Sequence, residues 1–476
     1  MKYILSIALI ASSIFFVKGQ SKEEQINRAL FNKIEFFINS QKTDSVYNLA
    51  ADNFKEAISG DKFAFTLQGF YQLGRIKDAQ LLEFKDGKGI YLLEFPNNFI
   101  QLTLSVNDEN KFDGLLLAPG KRPTVQVEKT VISQVEKISP LDFYIDSVAN
   151  TYAKQQNTQS LAIGVFHNNS YKSYFYGATH KGGTTLPTEN TIYEIGSITK
   201  VFTSVLLADL VTKNQIQLDD PIIKYLPDSL AGNPDLRKIT FKELANHSAG
   251  LPRLPANLDK VPGFNMNDPY ASYDRKALFS FLKSYKAKPE EIGQYAYSNL
   301  GTALLGELVA IISKKTYMQC VKDVILTPLQ MTSTTDKPDA KNVNFIPVYN
   351  EKGEAVPAWN FLAMAPAGGL KSSLRDMMLF AVEQFKMPLN GLQNAMALTR
   401  EFTMATPHNI DLGLAWHMSM ADQGVYFWHN GGTGGSRSFI GLSPDTKTAI
   451  VALSNSAESV DEISIAILEK LMETKD

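Results

Sequence analysis

The run Tyr193-Glu194-Ile195-Gly196-Ser197-Ile198-Thr199-Lys200 sets a hydroxyl and an amine three residues apart where an apolar helical pattern begins. Val201, Phe202, Val205, Leu206, Leu210 and Val211 recur at helical spacing, which predicts Ser197 and Lys200 on one face, one turn apart. A serine hydroxyl is a weak nucleophile until a base takes its proton, and lysine is a base only where its ammonium form is disfavoured. Three local features favour that chemistry: the positive end of the first helical turn, burial of the amine, and a serine backbone N–H left free for an oxyanion. Gly196 lets the chain enter the turn tightly.

Spacing alone does not single this pair out, because Ser59-Gly60-Asp61-Lys62 and Ser280-Phe281-Leu282-Lys283 match it too. Companion segments decide. Tyr297-Ser298-Asn299 lies where a polar loop gives way to a helical pattern through Leu304, Leu308 and Ile312. His429-Asn430-Gly431 follows the strand-like Val425-Tyr426-Phe427-Trp428 and precedes Gly432-Thr433-Gly434-Gly435. Each is weak by itself: Tyr-x-Asn is common in loops, a strand histidine is usually a hydrogen-bonded sheet residue, and a glycine run is a permissive hairpin. In this order, and with Ser197 and Lys200, they make the sequence resemble the penicillin-recognising serine hydrolases over about residues 139–476. That family includes class C β-lactamases, D,D-peptidases, D-aminopeptidases and related esterases. Thr240 to Pro252, containing His247-Ser248-Ala249-Gly250-Leu251-Pro252, resembles a further family segment, and so do Ala367 to Ser373 and Leu412 to Trp416.

The resemblance implies an α/β (α+β) fold, an antiparallel sheet flanked by helices with an all-helical subdomain inserted between its first and last strands. It implies an acyl-enzyme on Ser197, with Lys200 accepting or relaying the proton and Tyr297 passing it to the leaving group. Such a tyrosine needs neighbouring positive charge to act as a base. Asn299 would orient the substrate amide, and the N–H groups of Ser197 and Gly432 would form the oxyanion hole. His429, Asn430, Gly431 and Gly432 would line the substrate site, with Arg437 as a carboxylate clamp. His247 is read as scaffolding. β-Lactamases of the family usually carry Lys-Thr-Gly where this chain has His429-Asn430-Gly431, and a mostly neutral histidine attracts a β-lactam carboxylate less strongly. The expected activity is peptidase-like or esterase-like, on D-amino-acid amides, peptidoglycan-type peptides or small esters. The alternatives are a class C-like β-lactamase, and a sensor that acylates without turning over.

A chain of 476 residues that is 44% hydrophobic can build two or three domains, and its formal charge of −2 gives no pull toward nucleic acid. Lys2 precedes the apolar stretch Tyr3 to Val17, too short to span a bilayer, and Gly19-Gln20-Ser21 follows, so residues 1–20 read as a cleaved signal peptide. A periplasmic or secreted monomer with no transmembrane span after cleavage is the expectation. Cys320 is the lone cysteine, placed in a helical pattern and read as a buried thiol. No histidine or cysteine cluster has metal-ligand spacing, so neither a metal nor an organic cofactor is expected. Residues 21–118 read as a small α+β accessory module: helices Gln25 to Phe37 and Ser45 to Ser59, then a four-strand meander resembling nuclear-transport-factor-like folds. Residues 119–138 read as a linker, and Ser139-Pro140 as a helix start.

Overall fold

A computed structural model describes residues 21–96, 98–120, 129–339, 341–407 and 410–474. Residues 1–20, read above as a signal peptide, and residues 121–128 of the stretch read as a linker lie outside the described residues. Contacts divide the chain into one unit up to Val125 and another from Gln126.

In the first unit Ser21 caps the helix Lys22–Asn39, and the strands Asp78–Lys85, Lys88–Glu94, Phe99–Val106 and Phe112–Pro119 pair antiparallel in chain order. The single helix expected over Ser45 to Ser59 is instead two, Thr43–Asn48 and Asp52–Ala57. The break has a physical cause: Phe112 N–H donates to Leu49 O and Ala51 N–H donates to Phe112 O, so the sheet edge takes the backbone groups a helix would use. An unanticipated helix, Gly60–Tyr71, buries Phe63, Leu67 and Phe70 at helical spacing. Phe54, Phe63 and Phe112 form one aromatic cluster of this core, and Phe31 stacks on Tyr91.

The second unit is α+β. Its nine-stranded antiparallel sheet runs Met404–Ala405, Asp411–Leu412, His417–Ala421, Gly424–Gly432, Arg437–Ser443, Thr448–Ser454, Leu161–His167, Ser170–Tyr176, Ser133–Gln134. Thr448–Ser454 thus pairs with Leu161–His167, with Ile450 opposite Val165, and the helical region is inserted between the two. Thr448–Ser454 is buried throughout, as a central strand covered on both faces must be. Its period-two alternation sends Ile450 and Ala452 to one layer, with the helices Pro140–Ala153 and Asp461–Glu473, and Val451 and Leu453 to the other. In that second layer Phe202 of the helix Thr199–Thr212 stacks on Phe380 of Leu374–Glu383 at 4.2 Å between ring centres. The helix Thr199–Thr212 is buried on every side from Thr199 to Leu210, so it is the hub of the unit rather than an amphipathic surface helix. Ser139 and Asp142 form a capping box at Pro140, and Ser133–Gln134, inside the stretch read as linker, is the outermost strand. No described helix is long and apolar enough to cross a membrane.

Candidate active site

Ser197 stands in a tight turn, Gly196–Ile198, between the buried strand Ile192–Glu194 and the central helix. Gly196 has φ +49°, and a Cβ there would lie 2.5 Å from the Gly432 backbone nitrogen. A Cβ on Gly431 would lie 2.1 Å from Ile195 O. Backbone meets backbone at both places, so only glycine fits, and the Ser197 turn rests against the end of the strand Gly424–Gly432. Polar side chains pin the contact. Ser438 Oγ donates to Ile195 O at 2.8 Å, and Ser436 Oγ to Glu194 O at 3.0 Å. The buried Glu194 carboxylate accepts from Trp359 N–H at 2.7 Å and from the Thr433 hydroxyl at 2.5 Å.

Lys200 is fully buried, with Nζ 3.0 Å from Ser197 Oγ and donating to Ala367 O at 2.5 Å. Burial, helped by the Arg253 guanidinium, holds its pKa well below the usual 10.5, which favours the neutral amine with a lone pair. The Tyr297 hydroxyl hydrogen-bonds to Ser197. Burial pushes that phenol above the ordinary tyrosine range, against the opposing pull of Ser197 and Arg253, so Tyr297 rests as a proton donor. Both Lys200 Nζ and the Arg253 guanidinium lie 4.9 Å from the Tyr297 ring centre.

The ring that packs on Tyr297 is His247, 4.5 Å away between centres. His247 follows a helical turn, Phe241–Ala245, and holds a left-handed φ of +63°, a region uncommon for residues other than glycine but one in which histidine is enriched. Its carbonyl accepts from Ala296 N–H at 2.8 Å and its Nδ1 from Ser298 N–H at 3.2 Å, so the loop is clamped on both sides of Tyr297.

Asn430, Gly431, Gly432 and Arg437 line the same cleft as Ser197 and Tyr297, a space of about 450 Å³. Arg437 Nη1 donates to the carbonyls of Thr433 and Ser436. His429 lies behind the cleft wall, 1% exposed, with Nδ1 2.6 Å from Asn430 O and its pKa driven well below 6.5 by burial. Asn299 is not on the wall: its side chain bonds Tyr270. Sequence reasoning missed six lining residues, Arg253, Tyr295, His417, Thr433, Ser459 and Asp461. Arg253 directly follows the segment ending in Pro252, and His417 the one ending in Trp416, so their neighbours were a usable signal. Asp461 reads as an ordinary acid in the first turn of a helix. Among the described residues no group of three His, Cys, Asp or Glu side chains is placed to hold a metal ion. A second groove, about 510 Å³ over the helix Leu374–Glu383, holds none of these side chains.

The sequence profile of the Beta-lactamase family matches residues 145–471, a span that contains every residue of the cleft. D-alanyl-D-alanine-carboxypeptidase/endopeptidase AmpH of Escherichia coli (strain K12) is 27% identical over 348 residues, covering 67% of this chain and 87% of that protein. A beta-lactamase of Lysobacter lactamgenus is 26% identical over 243 residues, 51% of this chain and 60% of that one. Among solved structures, a beta-lactamase/D-alanine carboxypeptidase from Pseudomonas syringae superposes with a TM-score of 0.61 at 21% identity, over 71% of this chain and 100% of that chain. A class C beta-lactamase superposes with 0.62 at 21% identity, over 71% and 96%. Identity at that level carries the α+β fold, and the profile match carries the family. The chain belongs to the beta-lactamase family and is a serine hydrolase.

Proposed function

We propose that the protein is an acyl-serine hydrolase with peptidase-like or esterase-like preference, acting on D-amino-acid amides, peptidoglycan-type peptides or small esters. The carrying observation is Ser197 Oγ held between a buried amine poised to be neutral and a protonated phenol at the edge of an open cleft. Neutral Lys200 takes the Ser197 proton as Oγ attacks the carbonyl. The Ser197 and Gly432 N–H groups hold the oxyanion, each donor worth about 3 kcal/mol in the transition state. Tyr297 gives its proton to the leaving group and regains one through Lys200. Water then attacks the acyl-enzyme along the same path in reverse.

The preference rests on the third motif. His429 puts no cation into the cleft, since its ring is buried and kept neutral. The cleft's positive charge comes from Arg253 and Arg437 instead. We also read residues 1–20 as an export signal, residues 21–118 as an accessory module and the hydrolase as a monomer. A panel of nitrocefin, penicillins, aryl esters and D-Ala-D-Ala peptides, run on wild type and Ser197→Ala, tests the activity. Peptides or esters are expected to turn over faster than β-lactams, and Ser197→Ala to lose all of it, a fall of about 10³-fold or more. Faster nitrocefin turnover makes the protein a β-lactamase, labelling without turnover makes it a sensor, and full activity in Ser197→Ala overturns the acyl-serine itself.

A further inference from the structure

One charged group on the cleft wall has no part in acyl transfer. Asp461 opens the helix Asp461–Glu473 and lines the cleft together with Ser197, Arg437 and Ser459. Its Oδ2 accepts from Asn430 Nδ2 at 2.6 Å, and the Ser459 hydroxyl also bonds it. Asn430 is two residues from Gly432, so the strand that supplies the oxyanion amide also holds this carboxylate in place.

What Asp461 lacks is a counter-ion. Among the described residues no cation pairs with it directly, and Arg437, whose Nη1 is engaged by two carbonyls, acts on it only from a distance. Desolvation outweighs the two hydrogen bonds and pushes the carboxyl above its usual range. A desolvated carboxylate with no counter-ion destabilises the protein that carries it, and an incoming ammonium group offsets that penalty. Arg253 and Arg437 on the neighbouring walls repel an ammonium and attract a carboxylate. The cleft wall therefore carries both signs, a carboxylate at Asp461 that suits a cation and guanidinium groups at Arg253 and Arg437 that suit an anion.

We propose that Asp461 is the subsite for an ammonium group on the substrate, so that the preferred substrates are amides or peptides carrying a free amine. This rests on the reading of the cleft as the acylation site and narrows its substrate class. The test is calorimetric binding to the Ser197→Ala protein, where no turnover interferes. Two matched pairs serve as probes: D-alanine p-nitroanilide against its N-acetyl form, and Nα-acetyl-D-lysyl-D-alanine against its Nε-acetylated form. In at least one pair the free amine is expected to bind about tenfold tighter or more, as one charge-assisted contact requires. Asp461→Asn should bring that ratio to about one, and Asp461→Glu should keep most of it. Equal binding within both pairs overturns the subsite without any variant, and so does a preference that survives Asp461→Asn. An amine preference that depends on Asp461 in a protein whose Ser197 never acylates would keep the subsite and discard the acyl-serine reading.

Discussion

Ser197–Lys200 and Ser280–Lys283 share one spacing and opposite surroundings. Lys283 points to water from the helix Arg275–Ser284, as does Lys62 at the start of Gly60–Tyr71, whereas Lys200 is buried in the hub helix. A lysine follows a serine by three residues in all three places. An ammonium ion in water, however, has no lone pair to offer, and only the removal of water lowers the lysine pKa enough to supply one. The pattern sets geometry, and the core around it sets reactivity.

The most damaging way to break this contrast is Lys200→Arg. Arginine keeps the charge and hydrogen-bonding capacity but does not release its proton in a protein, so a base role fails while a merely electrostatic one survives. A fall of about 10³-fold in kcat is expected, within the range for general-base catalysis, while Lys283→Arg behaves as wild type. Activity in Lys200→Arg within about tenfold of wild type, measured with an aryl ester, would sink the assignment.

A smaller effect is expected from Tyr297→Phe, which keeps the ring between His247, Lys200 and Arg253 and removes only the proton. Loss of the leaving-group acid should lower kcat about 10²-fold on amides. On p-nitrophenyl esters, whose leaving group needs no proton, the loss should be several-fold smaller. Equal losses on both substrates would reduce Tyr297 to packing.

The outer frame was legible in the residues. The strand-like runs Leu161 to Phe166 and Tyr171 to Tyr176 flank His167-Asn168-Asn169-Ser170 and so read as a hairpin, and Ser139-Pro140 reads as a helix start, because each signal is local. Closure of the sheet between Thr448–Ser454 and Leu161–His167 came from the resemblance, since no local pattern reports a pairing that distant in sequence. The split of Ser45 to Ser59 failed for a related reason: the strand edge at Phe112 competes for backbone groups that sequence alone assigns to a helix. In the cleft, the residues in motifs were visible. Arg253, His417 and Asp461 were not, because their roles arise from which cavity wall they reach, and the scaffold residue His247 holds Tyr297 through backbone contacts that no motif encodes.

The mildest test measures how dry the surroundings of Lys200 are. His417 lines the cleft with its ring 5.0 Å from that of His429, and burial, with a smaller push from Lys200, lowers its pKa from 6.5 to about 4. Between those values the unfolded chain binds a proton at this histidine and the folded protein does not. Stability therefore rises with pH across that window and is lost as pH falls from about 6.5 toward 4. At most this single site accounts for about 3 kcal/mol of that loss. In His417→Gln, urea denaturation at the two ends of the window should show a correspondingly smaller drop, with His247 and His429 still contributing theirs. An undiminished drop would mean that water reaches His417 freely, and a wet His417 would undercut the desolvation that separates Lys200 from Lys283.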